Sequence, residues 1–361
     1  MKVKLGDVCD KGSSNLKQSD VINQNGQYPV YGAAGLLGNI DSYHQDKPYV
    51  AVVKDGAGVG RVTLHPGYSS VIGTLQYLLP KENVLPEYLY YVTKHMHLEK
   101  YYTGATIPHI YFKDYKNEKF NLDAIEKQQR IVDILKKIEN IIESRQQELQ
   151  KLDDLIRARF VEMFGDNQEV HKLSDIAAIT GGLTKNSRRD KLELRKPYLR
   201  VANVFFASID TTEILDIGLT KEEYEKTLLR NGDLLFVEGN GSPDQIGRVA
   251  IWNGEIEDCV HQNHLIKARF DLKRMNPVFA MYYFISERGR NQIKKRAVST
   301  SGLYTLSVSK IADFEIPNPP MELQQQFAAF VTAIDKSKAT VQKALDETQL
   351  LFDSLMQQYF G

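Results

Sequence analysis

Four stretches of this sequence carry residue types that could do chemistry. Asn318-Pro319-Pro320-Met321 resembles the Asn-Pro-Pro-aromatic motif with which amino-methyltransferases orient a target amine while a ring stacks on a flipped base. Methionine stands where the ring would be, so half of that chemistry is missing. Lys54-Asp55-Gly56-Ala57-Gly58-Val59-Gly60 has the composition of a glycine-rich cofactor loop. Such a loop needs a following helix to present its N–H groups, whereas Arg61-Val62-Thr63-Leu64-His65-Pro66 reads as a strand. His261-Gln262-Asn263-His264 and His95-Met96-His97 are not joined by Cys, Asp or Glu at a metal-ligand spacing. Cys9 and Cys259, the only cysteines, read as reduced and structural, so neither a metal nor a disulfide is expected. No nucleophile, base and orienting group can be assembled in sequence order, and the expectation is a chain that is not an enzyme.

The totals are those of a globular protein with more than one core: 361 residues, 42% hydrophobic and 25% charged. With 46 basic against 46 acidic residues, net charge argues for no partner, and a polyanion would have to be met by local clusters. Such clusters stand at Arg188-Arg189-Asp190-Lys191, Arg195-Lys196 and Lys294-Lys295-Arg296. The first residues show no apolar leader and no run nears about 18 apolar residues, so a cytoplasmic chain without membrane contact is expected.

The elements that position these residues emerge when the chain is laid on itself. Glu126-Lys127-Gln128-Gln129 falls on Glu322-Leu323-Gln324-Gln325, a shift of 196 residues, and the ungapped register continues to Phe164-Gly165 on Phe360-Gly361. Each copy repeats apolar residues at steps of three and four: Ile131, Leu135, Ile138, Ile142, Leu149, Leu152 and Ile156 in the first, Phe327, Val331, Ile334, Val341, Leu345, Phe352 and Leu355 in the second. Arg145, Arg159, Lys338 and Thr348 interrupt the series, which runs on to Met163 and Tyr359. This is a coiled-coil seam, and without proline or internal glycine each copy can be one helix. Antiparallel packing of the two helices is expected, giving a rod with a domain at each end; the alternative is that each helix packs separately on its own domain.

The repeat extends upstream. Lys4-Leu5-Gly6-Asp7-Val8 is similar to Lys172-Leu173-Ser174-Asp175-Ile176, and Gly60-Arg61-Val62 to Gly247-Arg248-Val249. Thr103-Gly104-Ala105-Thr106-Ile107-Pro108 has a counterpart in Ser299-Thr300-Ser301-Gly302-Leu303-Tyr304. Strands are predicted at Tyr49–Val53, 232–237 and 248–252, and helices from Pro86 and Pro277, whose tyrosines read as core. The predicted fold class is α+β: two mixed α/β domains in tandem repeat, separated by two long α-helices packed as an antiparallel coiled coil. The expected boundaries are 1–121 for the first domain, 122–165 for the central helix, 166–320 for the second domain and 321–361 for the distal helix.

At this point the whole chain resembles the specificity subunits of type I restriction-modification enzymes. Ile316-Pro317-Asn318-Pro319-Pro320-Met321-Glu322-Leu323-Gln324-Gln325 is similar to that family's proline-rich entry into its spacer helix, with Thr300-Ser301-Gly302-Leu303-Tyr304-Thr305-Leu306 just before it. Phe120-Asn121-Leu122-Asp123-Ala124-Ile125-Glu126 lacks the prolines. The resemblance implies target-recognition domains that each read one half of a split double-stranded DNA site, and helices that set the gap. It also implies two methyltransferase subunits docked on the helices, endonuclease subunits beyond them, and no cofactor on this chain, S-adenosylmethionine being held by the methyltransferase subunits. Side chains for base edges and phosphates should lie in polar turns. The candidates are Lys54, Arg61, Thr106, His109 and Lys113 in the first domain; in the second they are Arg188, Arg189, Lys191, Asn203, Asn240, Ser242, Arg248, Asn263, Ser301 and Tyr304. Two other readings stand beside this one: a self-contained adenine methyltransferase, and a helical scaffold that reads no DNA.

Overall fold

The computed structural model describes residues 1–22, 24–103, 108–165, 169–300 and 302–361. The first domain runs β1 (Lys2–Lys4), α1 (Leu5–Val8), β2 (Cys9–Ser13), β3 (Tyr28–Gly32), β4 (Gly35–Ile40), β5 (Tyr49–Val53), β6 (Val62–His65), β7 (Ser70–Val71), β8 (Leu75–Pro80), α2 (Pro86–His95), α3 (Phe112–Tyr115) and β9 (Lys119–Asn121). The long helix α4 (Ile125–Phe164) follows. The second domain runs β10 (Val170–Lys172), β11 (Ala177–Gly181), β12 (Arg195–Leu199), β13 (Leu215–Gly218), α5 (Lys221–Thr227), β14 (Asp233–Val237), β15 (Gly239–Asn240), β16 (Val249–Trp252), β17 (Val260–His261), β18 (Leu265–Phe270), α6 (Pro277–Ile285), α7 (Glu287–Arg296), β19 (Val298–Thr300), β20 (Leu303–Thr305), α8 (Val308–Ala312) and β21 (Glu315–Pro317). It ends in α9 (Met321–Phe360).

The sheets repeat strand for strand. The antiparallel order β2-β8-β5-β6 returns as β11-β18-β14-β16, β4-β3-β7 returns as β13-β12-β17, and β1-β9 returns as β10-β21. Even the exception is copied: β3 with β7 and β12 with β17 are parallel pairs. In the second domain β15-β20-β19 form a small sheet, where the described residues of the first domain show bridges of His109 to Asp55 and to Thr103.

Alternation explains the central strand of each domain. Val50 and Val52 of β5 pack with α2 and the long helices, while Tyr49, Ala51 and Val53 face the β4-β3-β7 sheet. In β14, Leu234 and Phe236 face the helices, and Leu235 and Val237 face the other way. Both faces of these strands are covered, and every residue of β5 and β14 is buried. Buried too are Tyr88 and Tyr91 of α2 and Tyr282 and Tyr283 of α6, which form core.

The long helices are each 40 residues, about 60 Å at 1.5 Å per residue. The chain forms two compact units, Met1–Glu148 with Val341–Gly361, and Leu149–Thr340, so each unit holds a domain and half of each long helix. In the first unit Ile131, Leu135 and Ile138 pack with Phe352, Met356 and Phe360; in the second Ile156, Phe160 and Phe164 pack with Phe327 and Val331. The start of α4 thus meets the end of α9 and its end meets the start of α9, which is antiparallel pairing. All of Ile131, Leu135, Ile138, Ile142, Leu149, Leu152, Ile156, Phe327, Val331, Ile334, Val341, Leu345, Phe352 and Leu355 are buried or half-buried.

The interruptions of the seam have partners. Arg145 donates to the Ala344 carbonyl and to Thr348 Oγ1, and Lys338 pairs with Asp153 at 2.5 Å. At the helix ends the periodic series is corrected. Arg159 is turned to Glu162 and solvent, and Phe160 and Phe164 take the buried places in its stead, as Met356 and Phe360 do in the second copy. A straight helix drifts from a strict seven-residue repeat, and the last turns pack on a domain as well as on the other helix. Phe164 meets Phe279 of α6 at 4.7 Å between ring centres, and Phe360 meets Tyr88 of α2 at 5.3 Å.

Candidate nucleic-acid interface

The Glu-x-Gln-Gln motif is a joint that fixes where each helix leaves its domain. Fully buried Gln128 accepts the Leu85 N–H at 2.9 Å and donates to the carbonyls of Asn83 and Asp123. Gln324, equally buried, accepts the Asn276 N–H at 2.8 Å and donates to the Pro319 carbonyl at 2.8 Å. Leu85 and Asn276 each immediately precede the proline that opens α2 or α6. The first copy therefore makes the same joint without the prolines. Asn318, the polar member of the Asn-Pro-Pro-Met stretch, accepts from Gln324 at 3.2 Å, so this motif is a helix entry.

Among the candidates for touching DNA, Arg61 and Arg248 prove to be one position built twice. The N–H of Gly60 donates to the Val53 carbonyl at 2.8 Å, and that of Val53 to the Arg61 carbonyl at 2.9 Å; Gly247, Val237 and Arg248 repeat both bonds at 3.1 and 2.9 Å. Gly60 lies at φ 86° and a Cβ there would stand 2.5 Å from the Glu99 nitrogen, so glycine is required. Each arginine then donates to a carbonyl just past the equivalent strand, Arg61 to Ala33 at 3.0 Å and Arg248 to Val201 at 3.3 Å. Arg61 is exposed. Arg248 is half-buried, with its guanidinium 5.4 Å from the Phe205 ring centre and its Nε buried without a partner, and burial holds its pKa below the ordinary value.

In the first domain, Lys54, His109 and Lys113 line one cavity of about 350 Å³ together with Lys11, Ser13, Gln76 and Tyr111. His109 is bonded to Asp55 and lies against Tyr111, 4.0 Å between ring centres. Lys113 sits over the same tyrosine at 5.1 Å. Lys11 and Tyr111 were not among the sequence candidates, because a lone lysine in a strand and a lone exposed tyrosine carry no pattern. Thr106 lies outside the described residues, as does Ser301.

The second domain sorts its candidates by what their own fold demands of them. Arg189 is a correction. Its guanidinium is only 12% exposed, grips Glu223 through two bonds of 2.9 and 2.7 Å, and also donates to the carbonyls of Thr184 and Gly218. Nearly all its donors are used, and it holds the turn to α5 rather than offering a fork to a base. Asn203 is another: buried, it accepts from the Arg200 N–H and donates to the carbonyls of Asp210 and Glu213. By contrast Arg188 and Lys191, on the same 187–191 turn as Arg189, are exposed and have no carboxylate partner among the described residues.

Asn240 and Tyr304 pair directly across the β15-β20 ladder, and Asn240 accepts the N–H of Ser242 in the turn that follows. Asn263 stands beside His264, which bonds Glu238 at 3.0 Å and so lies next to the same edge. Asn240, Ser242 and Tyr304 therefore form one polar edge, Asn263 donates its N–H to the Leu183 carbonyl at 3.0 Å, and Arg188 and Lys191 sit on the 187–191 turn.

The features that could suggest catalysis have other duties. The glycine-rich stretch is the β5–β6 turn, with Gly56, Gly58 and Gly60 at φ 83°, 85° and 86°, and it leads into a strand, so no helix start is available to a cofactor. His261 is buried against the Thr227 carbonyl, and burial pushes its pKa down to about 4. Burial pushes both thiols, Cys9 and Cys259, up to about 12, which leaves them unreactive. Among the described residues no group of three or more His, Cys, Asp or Glu side chains is placed to hold a metal, and no helix is long and apolar enough to cross a membrane.

Comparison with known proteins agrees with this architecture. Residues 1–154 and 165–348 match the type I restriction modification DNA specificity domain. A putative type I restriction enzyme specificity subunit of Methanocaldococcus jannaschii is 28% identical over 200 residues, 54% of this chain and 46% of that protein; the chain thus spans under half of this relative's length. A second specificity subunit of that organism is 25% identical over 338 residues, 85% of this chain and 73% of the relative. The fold is also that of the type I restriction-modification S subunit from M. genitalium, with a TM-score of 0.60 and 17% identity over 100% of this chain and 96% of that one. On the family match, which takes in both domains and most of both long helices, the chain belongs to the type I restriction-modification DNA specificity family.

Proposed function

We propose that this chain is the non-catalytic specificity subunit of a type I restriction-modification assembly, reading one half of a bipartite DNA target with each domain. The observation that carries this reading is the doubling of domain and helix: two recognition modules with the same main sheets, each joined to a spacer by a buried glutamine at the matching position. Two readers held by a fixed element convert its length into half-site spacing along a duplex, and the second contact is favoured because the first has already been made. On this reading the exposed faces of α4 and α9 dock two methyltransferase subunits, which hold S-adenosylmethionine, and endonuclease subunits join them. The assembly would work in the cytoplasm.

Removing one heptad from each helix, on opposite sides of the same seam contact, keeps the apolar register while shortening the spacer by about 10 Å, roughly three base pairs at 3.4 Å each. Methylation mapping in cells that carry the shortened chain and its methyltransferase should return the same half-sites with a smaller gap. An unchanged gap in an assembly that still methylates would defeat the spacer role, and a single undivided motif would defeat the two-reader reading. A scaffold that reads no DNA would leave methylation without any motif set by this chain.

A further inference from the structure

One station of the fold is built twice with different charge. In the first domain Lys11 on β2, Lys54 just past β5 and Lys113 on α3 converge on the cavity of about 350 Å³. The shared register assigns their counterparts: β2 corresponds to β11, Val53 to Val237 and α3 to α8. The Ile110 N–H bond to the Lys54 carbonyl, 3.0 Å, is repeated by Leu306 on Glu238 at 2.8 Å. The three lysines thus become Ile179, Glu238 and Ser309. Since the same strands and turns form in both domains, folding does not require these cations.

Nor are all three neutralised from within. Lys54 has only 25% of its side chain exposed, and burial, then repulsion from Lys11, holds its ammonium below the ordinary value. Asp55 gives one carboxylate oxygen to His109, and its other lies 4.0 Å from Lys54. Lys11 and Lys113 have no carboxylate partner among the described residues. Gathering like charges in a half-buried cavity is unfavourable unless an anion completes it. A group with several acceptor oxygens and a full negative charge fits three ammonium donors and the Ser13 hydroxyl.

We propose that this cavity seats a backbone phosphate of the DNA, so that the first domain positions the duplex by charge at a place where the second domain does not. The proposal rests on the DNA-reading function above and adds which residues position without reading sequence.

The test uses the chain assembled with its methyltransferase subunits and measures fluorescence anisotropy on the mapped target and on an unrelated duplex, from 50 to 200 mM salt. Changing Lys11, Lys54 and Lys113 to Gln should weaken both duplexes by a similar factor, roughly threefold or more per lysine, and lower the salt slope by about one for each phosphate released. The methylated motif should stay the same, and Lys→Arg variants should retain binding. Should the Gln variants melt early, the converse variant, Glu238→Lys with Ser309→Lys, should raise the slope by adding a seat to the second domain. Unchanged affinity and slope would overturn the proposal, and so would an altered motif, since the lysines would then be reading bases. Inorganic phosphate, added at constant ionic strength, should raise the melting point of the parent more than that of the triple variant; if it did so while the variant kept the parent's DNA affinity and salt slope, the cavity would serve a free anion and the proposal would fall. Failure of the parent assembly to bind its mapped target would instead count against the function itself.

Discussion

Gln324→Met removes the polar atoms of the helix joint while keeping the shape and length of the side chain. The amide accepts one strong bond, from the Asn276 N–H at 2.8 Å, and donates another, to the Pro319 carbonyl at 2.8 Å, with weaker contacts to Asn318 at 3.2 Å and Arg274 at 3.4 Å. Each lost bond is worth about 1 kcal/mol net, and a buried N–H left without a partner adds about 1–3 kcal/mol. The total expected is about 3–5 kcal/mol, which for a unit of this size lowers the melting midpoint by about 6–20 °C. Trp252, the chain's one tryptophan, is 1% exposed on β16 of the same unit, so its fluorescence reports the transition. Gln325→Met is the control. That neighbour in the motif is exposed, and its change should cost under about 0.5 kcal/mol. A shift below 2 °C for Gln324→Met, or equal shifts for both variants, would refute the view that the first glutamine of the motif is a buried joint.

Two further outcomes follow from the same geometry. Thr348→Val should cost about 1–3 kcal/mol by leaving Arg145 donors unsatisfied, while the double change with Arg145→Leu should recover most of it, and strictly additive effects in denaturant melts would break the pairing. Burial holds both His65 and His261 at a pKa of about 4, below the 6.5 of the unfolded chain. Between those values only the unfolded chain takes up the proton, so stability is full above pH 6.5 and falls as pH drops towards 4, by at most about 3 kcal/mol per histidine. A flat pH profile of stability over that range would contradict it, and His261→Gln should remove its share.

The sequence made visible what depends on local period. A 40-residue apolar series without proline or glycine has one regular solution, and the glycine before Arg61 and Arg248 marks a turn wherever it falls. Pairings between distant positions were hidden. Arg145 and Thr348 both stood in the series as interruptions, yet nothing in sequence order says that an antiparallel register brings them together. Arg189 looked as available as Arg188, and only the arrival of Glu223, 34 residues away, shows that its donors are used by the fold. Residue type announces the capacity to bind; tertiary structure decides whether that capacity is already consumed.

The duplication supplies a way to separate the two. A residue that recurs at matching positions and makes matching bonds, as Gln128 and Gln324 or Gly60 and Gly247 do, is required by the architecture both domains share. A residue present in only one copy, at a place where the backbone is the same, is not required by that architecture and is open to a ligand. Lys11, Lys54 and Lys113 belong to this second class, while Arg61 and Arg248 belong to both: their backbones are fixed by the shared turn, yet one guanidinium is exposed and the other lies half-buried over Phe205. If two domains of one topology read different half-sites, the difference must reside in such unmatched side chains, because the matched ones are occupied in holding the same fold.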